Sequence, residues 1–143
     1  MPEINRSALV RFSAEQMYAL VNDVASYPKF LPGCVASQVV EHHEDMMVAS
    51  VSVSKVGLSH SFTTRNQLIA GKSITLALEN GPFKSLSGEW SFTPLREDAC
   101  KIEFQLQFEF ASPLVAKAFG RVFSEVVQSM VQAFSERAKE VYK

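Results

Sequence analysis

A chain of 143 residues with 47% hydrophobic and 20% charged side chains has the make-up of one folded domain, which excludes disorder. The formal net charge of −1 supplies no global field toward nucleic acid or anionic membrane, and DNA binding is not expected. No apolar run approaches the roughly 20 residues that cross a bilayer, and Met1 to Arg6 lacks the basic-then-apolar pattern of a secretory signal. Cys34 and Cys100 do not make a disulfide framework and read as reduced, partly buried thiols of a cytoplasmic protein.

In chain order, Asn5 to Phe12 reads as a strand, with Arg6, Ala8, Val10 and Phe12 on one face. Ser13 and Gln16 then have the spacing of a capping box, opening a helix whose apolar face holds Met17, Leu20 and Val21. A second short helical turn covers Asp23 to Tyr27, and Pro28 is expected to stop it. Val35–Glu41 and Met47–Ser54 flank the polar stretch His42-His43-Glu44-Asp45 and read as a hairpin. Gly57 opens the next strand, Leu58 to Leu68, and Ala70-Gly71-Lys72 turns into Ile74 to Leu78. Asn80-Gly81 is a hairpin signal, followed by a strand from Phe83 to Phe92 and a turn from Pro94 to Asp98.

Lys101 to Phe110 carries the clearest pattern. Ile102, Phe104, Leu106, Phe108 and Phe110 alternate with Lys101, Glu103, Gln105, Gln107 and Glu109, so one face is apolar and the other solvated. That is the signature of an antiparallel sheet with one face covered. The cover is a helix opened by Pro113 and running to Tyr142. Its polar stripe includes Lys117, Arg121, Gln128, Gln132, Ser135, Lys139 and Lys143; Phe119, Val122, Phe123, Val126, Met130 and Phe134 lie opposite. Gly120 lies within it as a place for a bend or a close approach.

The expected architecture is therefore α+β. A curved antiparallel sheet of seven strands wraps a long C-terminal helix, with two short helices after the first strand. One helix laid in a curled sheet can leave apolar space, which suits a hydrophobic small molecule. On residue pattern alone, a packed core of Phe and Met is the competing reading.

Four segments together are distinctive: Asp23-Val24-Ala25-Ser26-Tyr27-Pro28-Lys29-Phe30-Leu31-Pro32, Gly81-Pro82-Phe83, Gly88-Glu89-Trp90-Ser91-Phe92 and Ala133-Phe134-Ser135-Glu136-Arg137-Ala138. In order and nearly over the whole chain, the sequence resembles the coenzyme-Q-binding family of START-like, helix-grip domains within the polyketide cyclase and lipid-transport superfamily. Gly33 departs from the pattern, since relatives commonly carry Trp before the Cys. The resemblance implies an apolar tunnel for ubiquinone or a similar isoprenoid lipid, with no metal and no further cofactor, in support of respiration. It is strongest to a bacterial branch whose name implies a toxin bound to the large ribosomal subunit, blocking subunit association. A location in the cytoplasm, with transient contact at the inner membrane during lipid exchange, goes with that reading.

The residues expected on such a pocket are Phe62, Leu68, Trp90, Leu106 and Phe108 from the strands and Phe119, Val122, Phe123, Val126 and Met130 from the helix. Tyr27, Phe30 and Leu31 sit in a Pro-bracketed loop that reads either as a plug or as a pocket mouth. His60, Thr64 and Asn66 share the parity of Phe62 and would offer hydrogen bonds to a headgroup; His60 has the alternative of a sheet-edge residue satisfied by water. A cyclase needs an acid or base beside its substrate, and His60 is the inward residue of a type suited to that role. Glu89, Glu103 and Glu109 fall on solvent faces, so binding without catalysis is expected. His42 and His43 are adjacent on a strand, point to opposite faces and lack a third ligand, which disfavours a metal site.

Overall fold

In the computed structural model, which describes residues 3–55 and 58–142, a long helix lies across the concave face of one antiparallel sheet. The elements are β1 (Glu3–Val10), α1 (Ala14–Asn22), a 3-10 helix (Val24–Lys29), β2 (Cys34–His43), β3 (Met46–Lys55), β4 (Leu58–Ile69), β5 (Ser73–Asn80), β6 (Phe83–Arg96), β7 (Ala99–Phe110) and α2 (Pro113–Val141). The strand order is β1-β7-β6-β5-β4-β3-β2, so β1 crosses over to the far edge while the other six form a meander. The expected strand start at Gly57, the inward side chain of Leu58 and the end of the polar stripe at Lys143 lie outside the described residues.

Local chemistry sets the boundaries. The Ser13 hydroxyl accepts from the Gln16 amide at 3.1 Å and the Gln16 side chain accepts from the Ser13 amide at 2.9 Å, completing the capping box of α1. At α2, Ser112 caps the first turn and Pro113 occupies a position where its missing N–H leaves no bond unmade. The 29 residues of α2 run for about 43 Å without interruption, and Gly120 lies against the Phe110 ring.

Four boundaries differ from expectation. The 3-10 helix continues through Pro28 to Lys29: its turns are closed by the Ser26 amide on the Asp23 carbonyl at 3.1 Å and the Phe30 amide on the Tyr27 carbonyl at 3.2 Å, so the N–H that Pro28 lacks costs at most one bond. The β2–β3 turn contracts to Glu44-Asp45, leaving His42 and His43 in β2. β6 runs through Pro94, which stays opposite Cys100, to Arg96 before turning at Glu97-Asp98, and a register shift between Pro94 and Arg96 leaves Leu95 as the extra residue. β1 also ends at Val10, as the chain leaves the sheet to reach the Ser13 cap.

The core lies between the two layers. The inward face of β7 (Ile102, Phe104, Leu106 and Phe108) is buried, as are Phe119, Phe123, Val127, Val131 and Phe134 of α2. Phe134 is fully buried, with ring centroids of Tyr27, Phe30 and Trp90 at 5.3, 5.2 and 5.3 Å. Replacing it removes the contact between helix, loop and sheet at once. Phe134→Ala is expected to lose about 3–5 kcal/mol in urea unfolding. A loss below about 1 kcal/mol would mean that this end of the helix is not seated as described.

Candidate functional site

Two aromatic clusters prop α2 away from the sheet. Near its start, Phe123 meets Phe83 at 4.8 Å, Phe108 at 4.9 Å, Phe119 at 5.6 Å and Phe62 at 5.7 Å. Toward its end, Trp90 stacks on Phe104 at 4.3 Å and takes the edge of Phe134 at 5.3 Å. Between them the helix faces the floor with Val126, Val127 and Met130, aliphatic side chains rather than rings. There a cavity of about 80 Å³ remains.

Its floor comes from Ala49, Val51 and Val53 of β3, Phe62, Thr64 and Asn66 of β4, Leu76 of β5, Leu86 and Trp90 of β6, and Phe104 and Leu106 of β7. Val24, Tyr27 and Leu31 close one side. The wall is apolar but for one pair: the Thr64 hydroxyl donates to Asn66 Oδ1 at 2.8 Å, and both residues are buried. With that hydrogen committed, the side-chain donors left among the wall residues are the two amide hydrogens of Asn66 and the indole N–H of Trp90. Tyr27 is the one wall residue with an ionisable group. Its hydroxyl donates to the Val21 carbonyl, and burial pushes its pKa far above the usual phenol range.

Of the residues expected on the pocket, Phe62, Trp90, Leu106, Phe123, Val126 and Met130 line the cavity, as do Tyr27 and Leu31. Phe108 and Phe119 lie behind Phe123 in the first aromatic cluster and do not reach the cavity. Leu68 is buried one step beyond Asn66 toward the β4–β5 turn. Val122 faces an outer groove beside Pro32 and Gly33. His60 packs its ring on Phe119 at 4.5 Å and so sits beyond the first cluster. Phe30 lies outside the wall, between Phe134 and the Arg137 guanidinium, which is 5.2 Å from its ring centre. Parity along a strand told which face these residues take, but not how far along the curled sheet the gap would fall. Val24, Ala49, Val51, Val53, Leu76, Leu86, Phe104 and Val127 were not singled out as pocket residues, although the alternation of β7 already placed Phe104 on the apolar face.

Neither cysteine is poised as a nucleophile. Burial raises both thiol pKa values, and the Cys34 thiol contacts the Ala36 carbonyl at 3.6 Å. His43 lies 2.8 Å from the Glu41 carboxylate on an exposed strand face. Among the described residues, no group of three His, Cys, Asp or Glu is placed to hold a metal ion, and no helix is long and apolar enough to cross a membrane.

Gly33 has φ of +85°, and a Cβ built on it would meet Val126 Cγ2 at 2.6 Å. Val126 lines both the cavity and the outer groove of about 350 Å³ beside Gly33, so it separates interior from surface there. Gly33→Ala is therefore expected to destabilise the fold by roughly 1–3 kcal/mol, read by chemical denaturation, through backbone strain and displacement of Val126. An unchanged unfolding midpoint would contradict this loop conformation.

Residues 10–135 match the family described as polyketide cyclase / dehydrase and lipid transport. Over 142 residues the chain is 60% identical to the ribosome association toxin RatA of Escherichia coli, covering 99% of this chain and 90% of that one. It is 31% identical over 144 residues to a mitochondrial coenzyme Q-binding protein homologue of Xenopus laevis, covering 98% of this chain and 59% of that one. Among solved structures, a Streptomyces aromatase/cyclase superposes with a TM-score of 0.84 at 17% identity, covering 99% of this chain and 96% of that one. A curved seven-stranded sheet gripping a C-terminal helix is the fold these proteins share, and the chain belongs to the polyketide cyclase / dehydrase and lipid transport family.

Proposed function

We propose that this chain is a binding protein rather than an enzyme, and that its interior takes the ring of an isoprenoid quinone or a similar apolar carbonyl compound. The observation that carries this reading is the apolar cavity with one buried polar pair. Asn66 offers donors to a carbonyl oxygen, while nothing on the wall can act as a general acid or base at neutral pH. The name of the Xenopus relative supports the ligand class. The cavity of about 80 Å³ is smaller than the space of about 150 Å³ that holds benzene in an engineered protein core. Entry of a ring therefore requires wall side chains to move, and Met130, flexible and only partly buried, is the one best suited to do so.

Mass spectrometry of organic extracts from the purified protein, followed by uptake of a short-chain ubiquinone, tests this. The double variant Thr64→Val/Asn66→Leu, which removes both partners of the buried pair, is expected to weaken uptake roughly tenfold, the loss of about one hydrogen bond to a buried acceptor, without lowering thermal stability. Protein that never takes up quinone would end the proposal.

A second reading concerns the outer surface: association with the large ribosomal subunit, to the detriment of subunit joining. The name of the Escherichia coli relative favours it, and 60% identity carries more weight for a shared role than the 31% of the quinone-binding relative. An interior ligand and an exterior partner occupy different surfaces, so the two readings are compatible. Co-sedimentation with large subunits at low salt, falling steeply as salt rises, is the expected result. Absence from the ribosomal fraction at low salt would remove this reading. On α2, Arg121 is partnered by Glu125 at 3.2 Å and the Arg137 guanidinium lies over the Phe30 ring.

A further inference from the structure

Beyond the interior and either reading above, an open groove of about 740 Å³ runs between β1 and α2. One wall is formed by every residue from Arg6 to Phe12 in succession. Arg6 to Val10 belong to β1, and Arg11 and Phe12 continue past its end; side chains of a strand alternate between faces, so the unbroken run from Arg6 to Val10 means that the strand presents its edge, backbone included. β1 is an end strand, paired with β7 alone, and its other row of N–H and C=O groups is left unpaired by the sheet. The opposite wall is one face of α2: Gln128, Val131, Gln132, Ser135 and Lys139, at helical spacing.

The charges in this groove have one sign. Arg6, Arg11 and Lys139 line it and no carboxylate does. Arg6 donates to Gln128 Oε1 at 3.3 Å and to its neighbour's carbonyl, both neutral acceptors. Among the described residues no ion pair involves Arg6 or Arg11, and Lys139 meets only the exposed carboxylate of Glu136. Leu9, 73% exposed, adds an apolar contact on the same edge.

We propose that this groove binds an extended acidic peptide segment of a protein partner, which adds as a further strand beside β1 with its carboxylates against Arg6, Arg11 and Lys139. An open edge pairs with a chain that carries both amide donors and carbonyl acceptors in strand register. A nucleic-acid strand has phosphate acceptors but no backbone donors for the β1 carbonyls. The aromatic ring at hand, Phe12, is packed on Tyr142 at 5.9 Å rather than offered for base stacking. The β1 part of the groove, Arg6 to Val10, is about 17 Å long and suits about five extended residues.

A displayed library of random dodecapeptides, selected on the intact chain and counter-selected on the Arg6→Glu/Arg11→Glu variant, tests the proposal. Enriched peptides should carry acidic residues placed to meet Arg6 at one end of the groove and Arg11 at the other. Synthetic copies should bind roughly tenfold more weakly to the charge-reversed variant and to Lys139→Glu, and should slow hydrogen exchange of β1 amides in the wild-type chain. Thermal melts establish that the exposed substitutions leave the fold intact. Peptides that bind the variants equally, that leave β1 exchange unaltered, or that are not enriched at all would overturn the proposal. So would a decamer of oligouridylate that binds through Arg6 and Arg11 where no peptide does, because the groove would then be a nucleic-acid surface.

Discussion

The fit of α2 against the concave sheet is the constraint on which the rest of the molecule depends. A single helix must cover seven strands, and its apolar residues are not uniform in length. Phe119 and Phe123 reach the sheet near the start, where they join Phe83 and Phe108; Phe134 reaches it near the end, beside Trp90. Two aromatic supports hold a rigid rod above a gap that Val126, Val127 and Met130 leave unfilled. The cavity follows from this sequence of side-chain lengths, without any cavity-specific residue. Its small volume follows too, because Phe62 and Leu106 rise from the floor to meet the helix.

The Thr64–Asn66 pair is the part of the wall that packing does not explain. Burying two polar side chains costs free energy that a hydrogen bond between them recovers only in part, and two aliphatic residues would fill the same place. Polar groups held inside an apolar wall suit recognition of a polar atom on a ligand. The same fold in an aromatase/cyclase shows only that a helix-grip frame is compatible with catalysis; the chemistry depends on which side chains face inward. Here those are hydrocarbon, aromatic, one amide and two hydroxyls, one of them locked on the Val21 carbonyl.

Much of this was legible in the residue pattern, for physical reasons that also mark where legibility stops. β7 alternates Ile102, Phe104, Leu106 and Phe108 with polar residues, and period two is an unambiguous strand signal when one face is solvated. α2 announces itself by its stripe and by Pro113, and α1 by the Ser13–Gln16 box. Proline misled twice, at Pro28 and Pro94, because its cost depends on whether the missing N–H had a partner, which only the fold decides. Position along the curl was likewise hidden. Phe108, Leu106 and Phe104 have identical parity, yet Phe108 belongs to an aromatic support while the other two line the gap. The β1–α2 groove was not singled out at all, because an edge is defined by strand order, and the crossover that carries β1 to the edge leaves no mark in the sequence.

Both candidate surfaces meet on one helix. Val126, Val127 and Met130 face the cavity, and Gln128, Val131 and Gln132, within the same two turns, face the groove beside β1. An occupant larger than about 80 Å³ has to displace the inward set, and close packing passes a shift of a helix axis to every residue on that turn. Widening the cavity by lifting α2 therefore also widens the groove, whereas swinging Met130 aside leaves the groove unchanged. Which of the two occurs depends on whether the aromatic supports hold. Phe123 and Phe134 are fully buried and engaged from several sides, so the side-chain route is the less costly one for a small ring, and only a bulkier ligand would be felt at the β1 edge.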